Sequence, residues 1–229
     1  MPSTKKTLHF MGSALATAMS VGVMGYCMST QWSTITMECA KVGTSFFNGT
    51  AVITLELFVG ISNRYFCPLF GGRDTFQVIP KLAEIGVTPV VLHALVLCLL
   101  ALCLLFSACS ILISLYNSVS NPYETYMGPI GVYVCSALSA CLSVVVLVIF
   151  VVNVTVTSMA EDLVKNFSED ADLRNKSSEM KLGYYLILLY TLLSLLAIAL
   201  IYMYDHAAYT QRREQQRPTE DAPKEIMMY

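Results

Sequence analysis

Charge is what this 229-residue sequence has least of. Asp, Glu, Lys and Arg make up 13% of it while 55% is hydrophobic and the mean hydropathy is +0.61; soluble domains carry about 25% charged residues. No charge occurs in 7–37, 85–123, 125–160 or 182–204. Each of these windows holds the roughly 20 apolar residues a helix needs to cross the hydrocarbon, and none is long enough for two crossings and a turn. An ordinary soluble domain is excluded, and four membrane-spanning helices are expected. A basic excess is also missing: 14 Lys and Arg face 16 Asp and Glu, so nucleic acid is excluded as a partner. Histidine is scarce. His9, His93 and His206 fall in separate stretches with no carboxylate near them in the apolar runs. This leaves no catalytic constellation, metal set or cofactor site to assign, and an enzyme is not expected. Ion pathways are usually marked by charged groups inside the membrane, and apart from His9 at the very start of the first span the spans offer only His93. It reads as a neutral imidazole hydrogen-bonded across helices near one face.

The spacing of the apolar runs predicts a cytoplasmic N-terminus at 1–7 and spans at 8–28, 90–115, 130–152 and 183–204. Between them lie an extracellular loop at 29–89, a cytoplasmic hairpin at 116–129 and a second extracellular loop at 153–182, with a cytoplasmic tail at 205–229. The first apolar run continues past the ~7–15 residues of a signal-peptide core and reads as a retained anchor. The hairpin contains Asn121-Pro122, Glu124 and Gly128-Pro129. The residue before each proline is pushed off helical angles, and Pro129 can open a helix because a first-turn amide has no internal partner. Glu124 can face the positive end of the third span.

Orientation rests on Asn-X-Ser/Thr acceptors. Asn48 follows span one, Asn166 and Asn175 follow span three, and these loops share a side. That side is the one expected to be glycosylated, which puts both termini in the cytoplasm. Asn153, also in an acceptor triplet, lies at a predicted membrane edge and reads as a helix-end amide. Lys5, Lys6, Arg212 and Arg213 flank the spans on the inner side, but Lys165, Arg174, Lys176 and Lys181 in the outer loop run against the positive-inside bias. The sequons outweigh them.

Small residues form a stripe on span one at Ala14, Ala18 and Gly22, and another on span three at Gly131, Ser136 and Ala140. Close backbone approach at such faces holds helices together in lipid, so a parallel contact between spans one and three is expected. The first outer loop has short β-rich segments at 34–39, 51–59, 64–70 and 74–79, with turns at Asn48-Gly49 and Gly71-Gly72. It reads as a small antiparallel sheet with the lone Trp32 anchoring its base at the interface. Of eight cysteines, only Cys39 and Cys67 lie outside the predicted spans, and they are expected to form a disulfide. The second outer loop, acidic and polar, reads as a solvated connector. The tail ends with Met227 and Tyr229 as its alternating apolar side chains before a free carboxylate. It is either a bland tail or a ligand for a PDZ groove.

The run NPYETYMGPIGVY at the hairpin resembles the corresponding turn of the clarins, a vertebrate four-span family. So do the start MPSTKKTLHF, Trp32 after span one, CPLFGGRDTFQVIP from Cys67, His93 in span two and the apolar aromatic end. The tail looks most like that of one paralogue. The acceptor region matches at Asn48, whereas the acidic second loop is less alike. The resemblance implies the plan of the wider claudin and peripheral-myelin-protein group, a left-handed four-helix bundle capped by a small extracellular sheet. That group's Gly-Leu-Trp run and closely spaced cysteine pair are not reproduced. It also implies a non-enzymatic plasma-membrane protein that organises membrane and actin-linked complexes, as clarins do in sensory cells. A claudin-like adhesion or barrier protein and an accessory channel subunit are the alternatives. The expected partners are lipid, membrane or scaffold proteins, and further copies of the chain.

Overall fold

The computed structural model describes residues 4–43, 47–67, 71–119, 128–168 and 171–216. Among these residues four helices are long and apolar enough to cross a membrane: α1 (Thr4–Met28), α3 (Val87–Val119), α4 (Gly128–Thr155) and α6 (Leu182–Gln216), the last over Leu182–Ala207. Proline and glycine set where they begin. Gly86 ends the short helix α2 (Val78–Ile85), Pro89 falls within the first turn of α3, and Gly128-Pro129 opens α4; first-turn prolines remove only amides that have no intrahelical partner. Asn121, Pro122 and Glu124 lie outside the described residues.

One side of every helix is buried at alternating spacings of three and four. The seam runs through Phe10, Ser13, Thr17, Ser20, Met24 and Cys27 on α1, and through His93, Val96, Leu100, Cys103, Ser107, Ser110, Ser114 and Asn117 on α3. On α4 it is Val132, Ser136, Ser139, Ser143, Val146, Phe150 and Asn153; on α6 it is Ile187, Tyr190, Ser194, Ala197 and Ile201. A repeat of 3.5 residues is the signature of left-handed helix packing. Apolar members of the seam gather toward its two ends, the larger group beside the sheet and a smaller one of Phe10, Val132 and Ile201 at the far end. Serines fill the middle and bond across it: Ser110 and Ser136 share a hydrogen bond of 3.0 Å, and Ser143 and Thr191 one of 2.8 Å. The Tyr190 hydroxyl donates to the Cys103 carbonyl at 3.1 Å and so accepts from Ser107 at 2.7 Å. Since hydrocarbon offers these hydroxyls no partner, each helix satisfies its neighbour.

The expected contact between the first and third spans is not the one formed. α1 packs on α3 and α6, and α4 packs on the same two, so α1 and α4 stand diagonally opposite. Ala14, Gly131, Ser136 and Ala140 are buried, but Ala18 and Gly22 are exposed, and a Cβ added at Gly22 would meet nothing within 4 Å. The α1 seam is carried instead by Ser13, Thr17 and Ser20, with the Ser13 hydroxyl donating to the Ala197 carbonyl of α6. Thr17 and Ser20 donate to the carbonyls of Ser13 and Thr17 within α1, so Ser13 makes the bond between helices and the other two pack with their hydroxyls satisfied locally.

Above the bundle stands a five-stranded antiparallel sheet in the order β4-β3-β2-β1-β5, built from β1 (Ser33–Lys41), β2 (Gly49–Leu55), β3 (Val59–Tyr65), β4 (Gly72–Gln77) and β5 (Ala171–Met180). Ile35, Met37, Cys39, Ala51, Ile53 and Leu55 point inward by strand alternation. The predicted strand at 51–59 is in fact two strands joined by the two-residue turn Leu57-Phe58, where the Glu56 amide donates to the Val59 carbonyl. That turn has no glycine or asparagine to announce it. The second loop is also more than a connector. Its helix α5 (Met159–Phe167) buries Met159, Ala160, Leu163 and Val164 in the core shared with the sheet, keeping its charges outside, and β5 completes the sheet along β1.

Sheet and bundle meet at Trp32. It is wholly buried rather than placed at a lipid interface. Its indole donates to the Cys27 carbonyl at 3.0 Å and meets Phe150 of α4 edge-on at 4.9 Å. Its amide donates to Leu55 of β2, and its carbonyl accepts from Lys181 at the start of α6. Gly183 makes the fit possible, because a Cβ there would lie 2.5 Å from Trp32 Cδ1. Gly183→Ala is therefore expected to lower stability by about 1–3 kcal/mol, the usual range for overpacking. It should read as a reduced Tm of the purified chain in detergent, with Gly22→Ala unchanged as the control. In the serine seam, a double-mutant cycle of Ser110→Ala and Ser136→Ala should give a coupling near ~0.6 kcal/mol.

Candidate interaction site

Three surfaces remain for contact with other molecules once the seam and the Trp32 joint are accounted for: the solvent side of the cap, the outer faces of the helices and, outside the described residues, the far end of the chain. The cap is closed by a disulfide between Cys39 at the end of β1 and Cys67 after β3, with the Cα atoms 5.5 Å apart. Gly49, the partner of Cys39 across β1 and β2, is pressed by the Phe66 carbonyl, which a Cβ would approach to 2.1 Å. Phe66 itself adopts φ 50°, the left-handed region, and is 71% exposed beside the 60% exposed Tyr65. These aromatics stand at the tip remote from the bundle, since Cys39 lies seven residues up β1 from Trp32.

Lateral ties stiffen the cap. The Arg64 guanidinium on β3 pairs with Asp74 on β4 and donates to the Phe167 carbonyl of α5 at 2.7 Å. The Lys81 ammonium of α2 stands 4.8 Å from the centre of the Phe167 ring, a cation over the negative face of an aromatic. At the base, the Lys181 ammonium bonds Glu179 at 2.7 Å and holds this exposed carboxyl below its ordinary range.

All three expected glycan acceptors are exposed on the cap side. Asn48 precedes β2 and Asn166 lies near the end of α5. Asn175 occupies a bulge where β5 gains one residue on β1, at φ 51°, and its amide donates to Glu38 at 2.7 Å. Asparagine tolerates that left-handed conformation better than most residues. Asn153 is buried instead, its amide turned to the Pro89 carbonyl at 3.3 Å. His93 is buried too, yet its bond does not cross between helices: Nε2 lies 2.8 Å from the Leu57 carbonyl in the β2–β3 turn. The other two histidines lie elsewhere, His9 against Tyr204 and His206 against Tyr202. Met227 and Tyr229 fall outside the described residues.

Sequence reading missed two residues that shape this site. Gly183 carries no local signal, since the approach of Trp32 and Thr30, distant in the sequence, is what explains it. Phe167 was hidden in a loop read as solvated, although the spacing of Met159, Leu163 and Val164 offered an amphipathic turn. Breaking the disulfide with Cys39→Ser should lower cap stability by ~2–4 kcal/mol. Limited proteolysis of the purified chain should show this as cleavage within the first loop, with the bundle fragments intact.

The family model that matches residues 4–174 is described as Clarin-2-like. Human Clarin-3 is 32% identical over 231 aligned positions that cover all of both chains, and Clarin-3 of Rattus norvegicus is 35% identical over the same extent. Human Clarin-1 is 26% identical over 188 positions, 78% of this chain and 79% of that protein.

Proposed function

The chain belongs to the clarin family of four-span membrane proteins, and from that membership we propose that it works as a non-enzymatic organiser of a plasma-membrane complex. The observation that carries this reading is the continuity of one apolar core from the sheet, through Trp32 and Phe150, down to Leu100 and Cys103 in the bundle. The seam below is occupied by side chains bonded to one another. Such an interior suits a rigid mount better than a conduit. What such a mount offers a partner is the cap, its lipid-facing helix surfaces and the tail.

In this reading the cap faces outside the cell, carrying glycans at Asn48, Asn166 and Asn175, and both termini are cytoplasmic. The tail, through Met227 and Tyr229, engages a scaffold protein of the PDZ type, and self-association through the helices is a further route to assembly. Proximity labelling from the tail of the full chain, compared with a form ending before 217, is expected to recover scaffold or cytoskeletal proteins only with the tail. Equal labelling by both forms would remove the scaffold role. Substituting Asn48, Asn166 and Asn175 together by Gln should abolish a glycosidase-sensitive mobility shift in cells; a persisting shift would reverse the assignment of these acceptors.

The exposed pair Tyr65 and Phe66 at the tip favours a second reading, adhesion between cells in the claudin manner. A chain acting so would concentrate at contacts between otherwise non-adherent cells, and Phe66→Ser would disperse it.

A further inference from the structure

The turn joining β2 to β3 reaches down to the bundle instead of standing free of it. Leu57 is fully buried and its carbonyl meets His93 Nε2 at 2.8 Å. His93 is six residues into α3, about 9 Å below the helix start at 1.5 Å per residue. The helix as a whole, at 33 residues, is about 50 Å long against a hydrocarbon core of about 30 Å. Toward its far end it exposes Tyr116, a residue type that sits at the membrane-water interface. About 20 residues back from there, near Leu97, the hydrocarbon ends on the cap side. His93 then lies about 6 Å above that edge, within the headgroup layer. The turn bonded to it shares this level.

Phe58 is the next residue and 52% exposed, with Val59 at 41%. Its backbone is pinned, because its carbonyl accepts from the Val78 amide at 2.9 Å, so the ring is the part left outside. On α3, two residues to either side of His93, Val91 and Leu95 are likewise exposed and fall in or beside the same layer. An aromatic side chain held at the level where the bilayer turns from polar to apolar gains by entering it.

We propose that the β2–β3 turn is a lipid anchor, with Phe58 and Val59 inserted among the lipids of the cap-side leaflet. The cap is thereby fixed to the membrane at a second point, besides the Trp32 joint. Its orientation above the bilayer depends on both.

Tryptophan fluorescence of the full chain in phosphatidylcholine nanodiscs tests this. Trp32 is the only native indole and, being buried, supplies a constant background. The added indole of Phe58→Trp should lose its emission to lipids brominated on the acyl chains and resist aqueous iodide. Tyr65→Trp at the remote tip should behave in the opposite way. If Phe58→Trp does not fold, judged by a changed Trp32 signal or loss of the disulfide, Val59→Trp reports the same layer. Quenching of the new indole by iodide as strong as that of Tyr65→Trp would overturn the anchor. So would protection from both quenchers, which would mean that protein covers the turn.

Discussion

Everything above the membrane hangs on Trp32. The indole cannot be solvated where it sits, and it touches or bonds the end of α1, the first strand, the second strand, α4 and the start of α6. A sheet attached to a bundle by flexible linkers would tumble, and its orientation would carry no information. Here the chain leaves α1 at Met28, enters β1 at Ser33, and in the four residues between places the largest buried side chain in the molecule. The second loop closes the same joint from the other side, since the Lys181 and Gly183 amides donate to the carbonyls of Trp32 and Gln31. Cap and bundle share one core as a result.

The bundle beneath solves a different problem. Lipid tails are as apolar as leucine, so apolar faces alone give helices little reason to prefer one another over lipid. Hydroxyls on the seam supply the preference, because each pair formed removes a polar group from hydrocarbon. The 3.5-residue repeat keeps those hydroxyls facing inward along the whole helix. Position within the seam also matters. Serine occupies the middle, while Phe150, Tyr190, Val96 and Leu100 hold the end nearest the joint, where the sheet's own apolar face adds to the core.

Much of this plan could be read from the residues, and the failures have physical causes. Charge-free windows reveal spans because each span must be dehydrated by itself, without help from distant sequence. The disulfide followed from compartment logic applied to two leftover cysteines. The stripe of Ala14, Ala18 and Gly22 misled because small size is common to packed and lipid-facing positions, whereas the serine register beside it distinguishes them. β5 was illegible for a deeper reason. Its residues, ADLRNKSSEM, have neither alternation nor β-branching, and it becomes a strand only because β1 offers it an open edge. Long-range pairing overrode local preference there.

Strand β5 also explains why the second loop can be polar and yet indispensable to the shape. An uncovered edge beside β1 would invite pairing with another chain. β5 covers it with Asp172, Arg174, Lys176 and Glu179, and the bulge at Asn175 breaks the new edge where a further strand would have to register. The opposite edge, β4, is short and carries Arg73 and Asp74. Association through either edge is thus discouraged by charge and irregular geometry. Partners are left the broad face of the sheet, the tip around Tyr65 and Phe66, and the helix surfaces in the membrane. A cap so guarded against pairing edge to edge can be concentrated in a membrane patch and still present the same face from every copy.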